Sequence, residues 1–491
     1  MARARVRHQG RVTRAGYISA DVEAPSTPDY VVVELKDQAP VAPAGARFAA
    51  PAAAAAEAED LNRVLARFSI RAMRPQFRLP AAALRRRVEV AVARGARSGA
   101  RARADSEFRQ ASFVQIVPRR SGDASKLARA LQGRPAVAQA YVAPRPVPAG
   151  LSGSAAGSRL FEPAQGYLYA APSGIAAAEA WDLAGARGKG VTICDIEGAW
   201  NLRHEDLPPG ISLIGGTMLA DLGWRNHGTA VLGEMVSRRD ARGTVGISAE
   251  AKAVVQSAFI DGVFNLAAAL TNAADRLTKG DVILIELQAE GPNGKYVAMQ
   301  FWDDIFTAIQ VATERGITVV EAAGNGNENF GLPIFNGTGL QKDSGAIVVG
   351  AGVPPANHVD FDGFGAGLPS YTSLGVPRSR IFFSNYGKIV NVQAWGWHVT
   401  TLAYGDLQGA PSENRWYTLR FSGTSSASPI VTGAVACLQG RAKAKLGHPL
   451  PPAKVRAILM ATGTPQQPGP GVPLTQHIGP QPNLAKAMTK V

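Results

Sequence analysis

The sequence predicts an α/β protein, a mostly parallel sheet with helices on both faces, preceded by a smaller α+β unit. Three observations carry this expectation. From about residue 165 onward, short apolar runs alternate with helical runs, the order that builds parallel sheets. One of these runs, DVILIEL at 281–287, is nearly all apolar, as a strand covered on both faces must be. Before residue 145 the pattern is instead strand–helix–strand, written twice within a short span.

The N-terminal elements follow in order. Residues 1–28 are basic and show little periodicity, and read as a mobile arm. VVVELK at 31–36 reads as a strand, and a helix over about 54–68 presents Leu61, Val64, Leu65 and Phe68 on one face. SIRAM is the next strand, residues 80–105 are ambiguous between helix and strand, and SFVQIVP at 112–118 is a strand again. DASKLARALQG has an Asp at its start and Gly133 at its end, the punctuation of a short helix. AVAQAYVAP at 136–144 closes the set. The expected unit spans 29–145 and is ferredoxin-like. Residues 146–165, rich in Pro, Gly, Ser and Ala, read as a linker open to cleavage, and 166–491 form the larger domain.

In that domain VTICDI is the first strand, HGTAVLGEMVSR a helix and VVQSAFI a strand. Then come a helix at 265–277, DVILIEL, the long amphipathic helix in FWDDIFTAIQVATERG, and the strands ITVVEAAG and AIVVGAG. Residues 353–420 are loop-rich, with strand signals at KIVNVQAWG and RWYTLRF. LPPAKVRAILMATGT is a helix opened by Pro, and NLAKAM a last short one. Sheets of this kind carry their sites beyond the carboxyl ends of the strands, and Asp195, Glu286 and Asn325 fall near such ends.

The chain has 491 residues and a formal net charge of +14. Residues 1–150 hold 26 Lys or Arg against 12 Asp or Glu, and residues 151–491 hold 26 of each, so all the excess lies in the N-terminal part. No interleaved aromatic platform accompanies it, which argues against a nucleic-acid partner. No apolar run reaches the length of a membrane span. The two cysteines, Cys194 and Cys437, sit in apolar segments and read as buried, unpaired thiols. The histidines show no zinc-ligand spacing, and no acidic loop follows a calcium-binding pattern.

FSGTSSASPIVTG at 421–433 places hydroxyls where a small-residue turn becomes an apolar helix, so the first N–H groups of that helix point at whatever lies above the serine. Upstream, Asp195 ends a hydrophobic strand in GVTICDIEG, and His227 precedes an apolar helical run in NHGTAVLGEMV. Acid, base and nucleophile in this chain order form one of the ways a hydrolytic triad is assembled. These motifs, together with EAAGNGN at 321–327, resemble those of the subtilisin-like serine peptidases over about 165–465.

The resemblance implies a serine endopeptidase that cleaves polypeptides through an acyl-enzyme. Ser425 would be the nucleophile, His227 the general base, Asp195 its orienting acid and Asn325 the oxyanion donor. It also implies that the N-terminal unit is an inhibitory pro-domain and that Gly324 and the stretch Glu286, Leu287 and Gln288 border the substrate. Here the chain departs from the family pattern, because a carboxylate replaces a small hydroxyl at 286 and Gln288 replaces a glycine and should crowd the cleft. Glu321 is a second unexpected acid, and with Glu286 would favour a basic substrate side chain. His204 reads as structural. Calcium through Asp206 is without support in the sequence, and no cofactor is expected. The altered cleft leaves a second reading, an inactive or narrowly specific binding module on the same fold. The family implies an extracellular or periplasmic location, while the basic first residues lack the apolar core of a signal peptide, which leaves a cytoplasmic one open.

Overall fold

In the computed structural model, residues 29–36, 42–50, 55–77, 109–110, 112–144, 146–147, 160–355 and 375–491 are described. The basic arm at 1–28, the ambiguous stretch at 80–105 and most of the expected linker lie outside them.

The N-terminal unit comprises β1 (Val31–Leu35), α1 (Ala55–Leu65), β2 (Ile70–Pro75), β3 (Phe113–Pro118), α2 (Ala124–Leu131) and β4 (Val137–Val142). Its strands pair antiparallel in the order β2-β3-β1-β4. The periodic face of α1, Leu61, Val64 and Leu65, packs with Leu127 and Leu131 of α2 and with Val31, Val33 and Ile116 of the sheet. Burying such side chains contributes roughly 1.5–3 kcal/mol each. After β4 the chain makes one more short strand, β5 (Pro146–Val147).

The larger domain is built on a seven-stranded sheet. Its strands are β6 (Thr192–Glu197), β7 (Ser212–Gly215), β8 (Lys252–Ser257), β9 (Val282–Ile285), β12 (Thr318–Ala322), β13 (Ile347–Gly352) and β14 (Val390–Trp395). The spatial order is β14-β13-β12-β9-β6-β8-β7, with every pairing parallel. Off this sheet, β10 (Gln288–Glu290) pairs on one side with β11 (Tyr296–Ala298) and on the other with β5 of the N-terminal unit. A hairpin of β15 (Val399–Leu402) and β16 (Tyr417–Phe421) leads into the long helix α6 (Thr424–Leu446).

Alternation along the strands sorts the core into two layers. Ile193, Val255, Val282, Leu284, Val320 and Val349 face α6 and α3 (Leu222–Val236). Cys194, Ile196, Ile283, Ile285, Val319 and Val348 face α4 (Leu266–Arg276) and α5 (Asp303–Glu314). The C-terminal helices α7 (Pro452–Thr462) and α8 (Leu484–Met488) join the first layer. Both cysteines are buried and unpaired. The strand order reverses between β6 and β9, and this crevice, beyond the strands' carboxyl ends, is where an α/β sheet holds its site. Among the described residues no helix is long and apolar enough to cross a membrane.

The two units meet at the start of α5. Tyr141 donates its hydroxyl to Asp304 Oδ1 at 2.6 Å, and Gln76 donates to Asp304 Oδ2 at 2.7 Å. Arg109 bridges Glu34 at 2.6 Å to Asp303 at 2.9 Å. Asp303 and Asp304 lie in the first turn of α5, where acids are favoured by the helix dipole, so the contact uses carboxylates that the helix already holds in place.

Leu284 is completely buried between the strands and α6. Leu284→Ala is expected to lower unfolding stability by about 2–5 kcal/mol, measured as the shift of the denaturant midpoint at constant slope.

Candidate active site

Four segments converge at the crevice. The first is the end of β6. Strand residues two apart share a face, so Asp195 and Glu197 both point toward α3 and α6, with Glu197 one step nearer the carboxyl end. The second is α3, whose start is fixed by Asp221 accepting from Trp224 N at 2.8 Å. The helix begins five residues earlier than the expected start at His227, so His227 lies inside its second turn.

The carboxylate at His227 is Glu197, not Asp195: Nδ1 lies 2.6 Å from Glu197 Oε2. Asp195 Oδ2 instead accepts the indole N–H of Trp200 at 2.6 Å. The expectation for Asp195 is corrected on this point, and the reason is reach. Both acids occupy the correct face, and the residue at the strand's end is the one that meets the helix turn. The sequence signal was present in the i, i+2 spacing of D-I-E. Burial pushes His227 down to about 4 and raises Glu197 and Asp195 well above the usual carboxylate range, with the Asp195 charge opposing the fall of His227. The imidazole is then neutral near pH 7, the state a general base requires. Its ring packs edge-on against Phe421, 5.4 Å between centroids.

The third segment is the start of α6. Gly423, φ 114° and ψ 179°, precedes the helix in a conformation that is essentially glycine's alone. Ser425 is the second residue of the helix and is fully buried. Ser426 donates to the carbonyl of Trp395 at 3.0 Å, a structural use of the hydroxyl that stands where the family often has Met.

The fourth segment follows β12. Asn325 Oδ1 accepts from Thr424 N at 2.9 Å and Thr424 Oγ1 at 3.0 Å. A backbone N–H can only donate, so the atom facing Thr424 must be the amide oxygen, and the NH₂ group is directed to the other side. Gly324 adopts φ 90°, and a Cβ there would come within 2.8 Å of Asn385 Nδ2.

The stretch expected to border the substrate is arranged differently. Glu286 and Leu287 are fully buried, and Glu286 Oε1 is hydrogen-bonded to Ser428 Oγ. Gln288 does not crowd the cleft, because its side chain turns to accept from Asn325 N at 2.8 Å. Glu321 pairs in register with Ile285 and so lies on the opposite face of the sheet from Glu286, where it accepts from Gln300 N at 2.8 Å. Burial lifts its carboxyl to about 8. The two acids do not form a common pocket, and the expectation of a basic substrate side chain loses its ground. His204 is structural: it bonds the carbonyl of Trp416 at 2.8 Å, packs edge-on against Tyr417, and is pushed by burial down to about 4. Asp206 is occupied by Thr244 N at 2.8 Å, and among the described residues no group of His, Cys, Asp or Glu is arranged to hold a metal ion.

The chain resembles, over 68% of its length and 98% of theirs, proteases from Pseudoalteromonas arctica PAMC 21717 (20% identity, TM-score 0.48). It resembles fervidolysin from Fervidobacterium pennivorans, described as a keratinolytic enzyme related to subtilisin, over 95% of this chain and 61% of that one (17% identity, TM-score 0.52). It is also similar to the prenylagaramide maturation protease PagA, over 64% and 97% of the two chains (21% identity, TM-score 0.44). No curated protein matches. The model of the subtilase family, the S8 peptidases, matches residues 188–479, which is more than half of the sequence and contains all four converging segments. The chain belongs to the subtilase family of serine peptidases.

Proposed function

We propose that the protein is a serine endopeptidase whose triad is Glu197, His227 and Ser425, made as a precursor inhibited by its own N-terminal unit. The observation that carries the triad is the 2.6 Å contact between His227 Nδ1 and Glu197. A base whose Nδ1 is held by a carboxylate presents Nε2 to the substrate side, and the acid stabilises the imidazolium formed when the serine gives up its proton.

In this mechanism Ser425 Oγ attacks the scissile carbonyl while His227 takes its proton, and the same proton then goes to the leaving amine. Water repeats the sequence to release the acyl group. Negative charge on the attacked oxygen falls between the Asn325 NH₂ and the N–H of Ser425, a first-turn donor without a partner within the helix. Thr424 anchors the Asn325 oxygen, so the donor is oriented before substrate arrives. Asp195, held by Trp200, lies on the same strand face one step behind Glu197 and does not meet the imidazole in this mechanism.

Support for self-inhibition comes from the edge of β10. Val147 pairs with Gln288 and Pro146 with Ala289, antiparallel. The pairing gives β10 an extended chain as a third strand, the recognition mode of a bound peptide. In this antiparallel register Val147, at the end of β5, pairs with Gln288, the residue of β10 nearest Glu286. The full burial of Ser425 and His227 fits a precursor whose site is covered by its own chain.

Three outcomes are expected. Ser425→Ala abolishes labelling by a fluorophosphonate probe while circular dichroism is retained; labelling that survives would remove Ser425 as the nucleophile. Glu197→Gln lowers kcat by about 10⁴-fold, as loss of the orienting acid does elsewhere, whereas Asp195→Asn lowers it by only about tenfold, and kinetics on one peptide substrate ranks the two. Self-cleavage occurs within residues 148–159 in the native chain and not in Ser425→Ala, read by intact-mass spectrometry.

A further inference from the structure

The mechanism above leaves the buried acid Glu286 without a task. Glu286 alternates with Leu284, so it points to the same side of the sheet as α3 and α6. Its Oε1 is hydrogen-bonded to Ser428 Oγ, and Ser428 Oγ in turn lies 2.7 Å from the carbonyl oxygen of Thr424, one turn earlier on α6. Its second oxygen is buried without a hydrogen-bond partner, and its carboxyl lies beside the Ser425 hydroxyl, whose oxygen likewise makes no hydrogen bond of good geometry.

The protons on this chain of groups can be counted. A serine hydroxyl has one, and the Thr424 carbonyl can only accept. When Ser428 donates to Thr424, its contact with Glu286 is a hydrogen bond only if the acid supplies the proton. The surroundings favour that state. Glu286 faces Asp195 and Glu197 from β6, Glu234 from α3, and the hydroxyls of Ser425 and Ser428 from α6. Among the described residues no Lys or Arg forms an ion pair with it.

We propose that Glu286 is a positioning residue that works as a neutral carboxylic acid, donating its proton to Ser428 and so bracing the helix turn that carries Ser425 without placing a charge beneath it. Burial, reinforced by Glu197, raises its carboxyl well above the usual range, in agreement with that protonation state. The consequence is electrostatic. Peptide cleavage builds negative charge on the attacked oxygen, and a carboxylate under the nucleophile would repel it in a site of low dielectric. An acid with a raised pKa keeps its proton below that value and loses it as pH rises. The enzyme is therefore expected to lose activity on the alkaline side, when Glu286 ionises and Ser428 loses its donor.

The inference rests on the proposed peptidase mechanism, and the test separates the two. The pH dependence of kcat is measured for the full-length chain, matured by its own cleavage, and for Glu286→Gln and Glu286→Ala. The native enzyme is expected to fall about tenfold per pH unit beyond the ionisation. Gln keeps an N–H donor and cannot ionise, so its alkaline fall disappears. Ala removes the brace and lowers kcat about tenfold below the ionisation, with KM within about twofold and no alkaline fall of its own. An alkaline fall that persists in the Gln variant, or a Gln variant as slow as the Ala variant throughout, overturns the role. Infrared difference spectroscopy of Ser425→Ala with and without Glu286→Gln reads the proton without any turnover. Loss of a carboxylic C=O band at neutral pH supports the assignment, and loss of carboxylate bands instead refutes it. Absence of Ser425-dependent hydrolysis in the native chain would strike the peptidase mechanism alone, with the infrared result still deciding the state of Glu286.

Discussion

The hydrogen bond between His227 and Glu197 is the constraint on which the site depends. It is 2.6 Å long and shut away from water, so its partners cannot exchange it for solvent. A buried polar group left without a partner costs about 1–3 kcal/mol, and more if charged. The end of β6 and the second turn of α3 are therefore tied to each other's position. Once that distance is set, α3 cannot rotate without leaving both groups unpaired. The tie has the further effect of fixing which ring nitrogen meets Glu197.

A second feature of the site is how much acid lies beneath it. Asp195, Glu197, Glu234 and Glu286 are all completely buried on one face of the sheet. Four ionised carboxylates in such a volume would repel one another strongly, and burial penalises each charge separately, so each carboxyl is pushed above its usual range. The departures from the family pattern in this chain are matched by local partners. The acid at 286 is met by Ser428, and the long side chain at 288 is met by the backbone of Asn325. Both additions point inward, and the two backbone edges of β10 are taken by β11 and β5.

The N-terminal unit engages the larger domain in two ways that differ physically. At α5 the contact is a small set of charge-assisted hydrogen bonds to Asp303 and Asp304, specific in geometry and dependent on ionisation. At β10 it is a main-chain pairing, which accepts almost any sequence in extended form. The first supplies a fixed orientation, and the second holds β5 against the edge of β10.

The sequence by itself determined the layers of this protein. Apolar runs such as 282–285 and 319–320 can be satisfied only inside a sheet covered on both sides, and the periodic face of 61–65 only by packing on another layer. It also marked the residues able to do the chemistry, because Gly423, with φ 114°, and the small hydroxyl-bearing turn after it are unusual locally. Tertiary structure decided which of two acids on one strand face meets His227, and on which side of the sheet Glu286 and Glu321 lie. Those outcomes depend on where each strand stops relative to the next helix, to within a residue. Local propensity is the same for D-I-E whichever carboxylate is used, and only the docking of α3 against the end of β6 separates them.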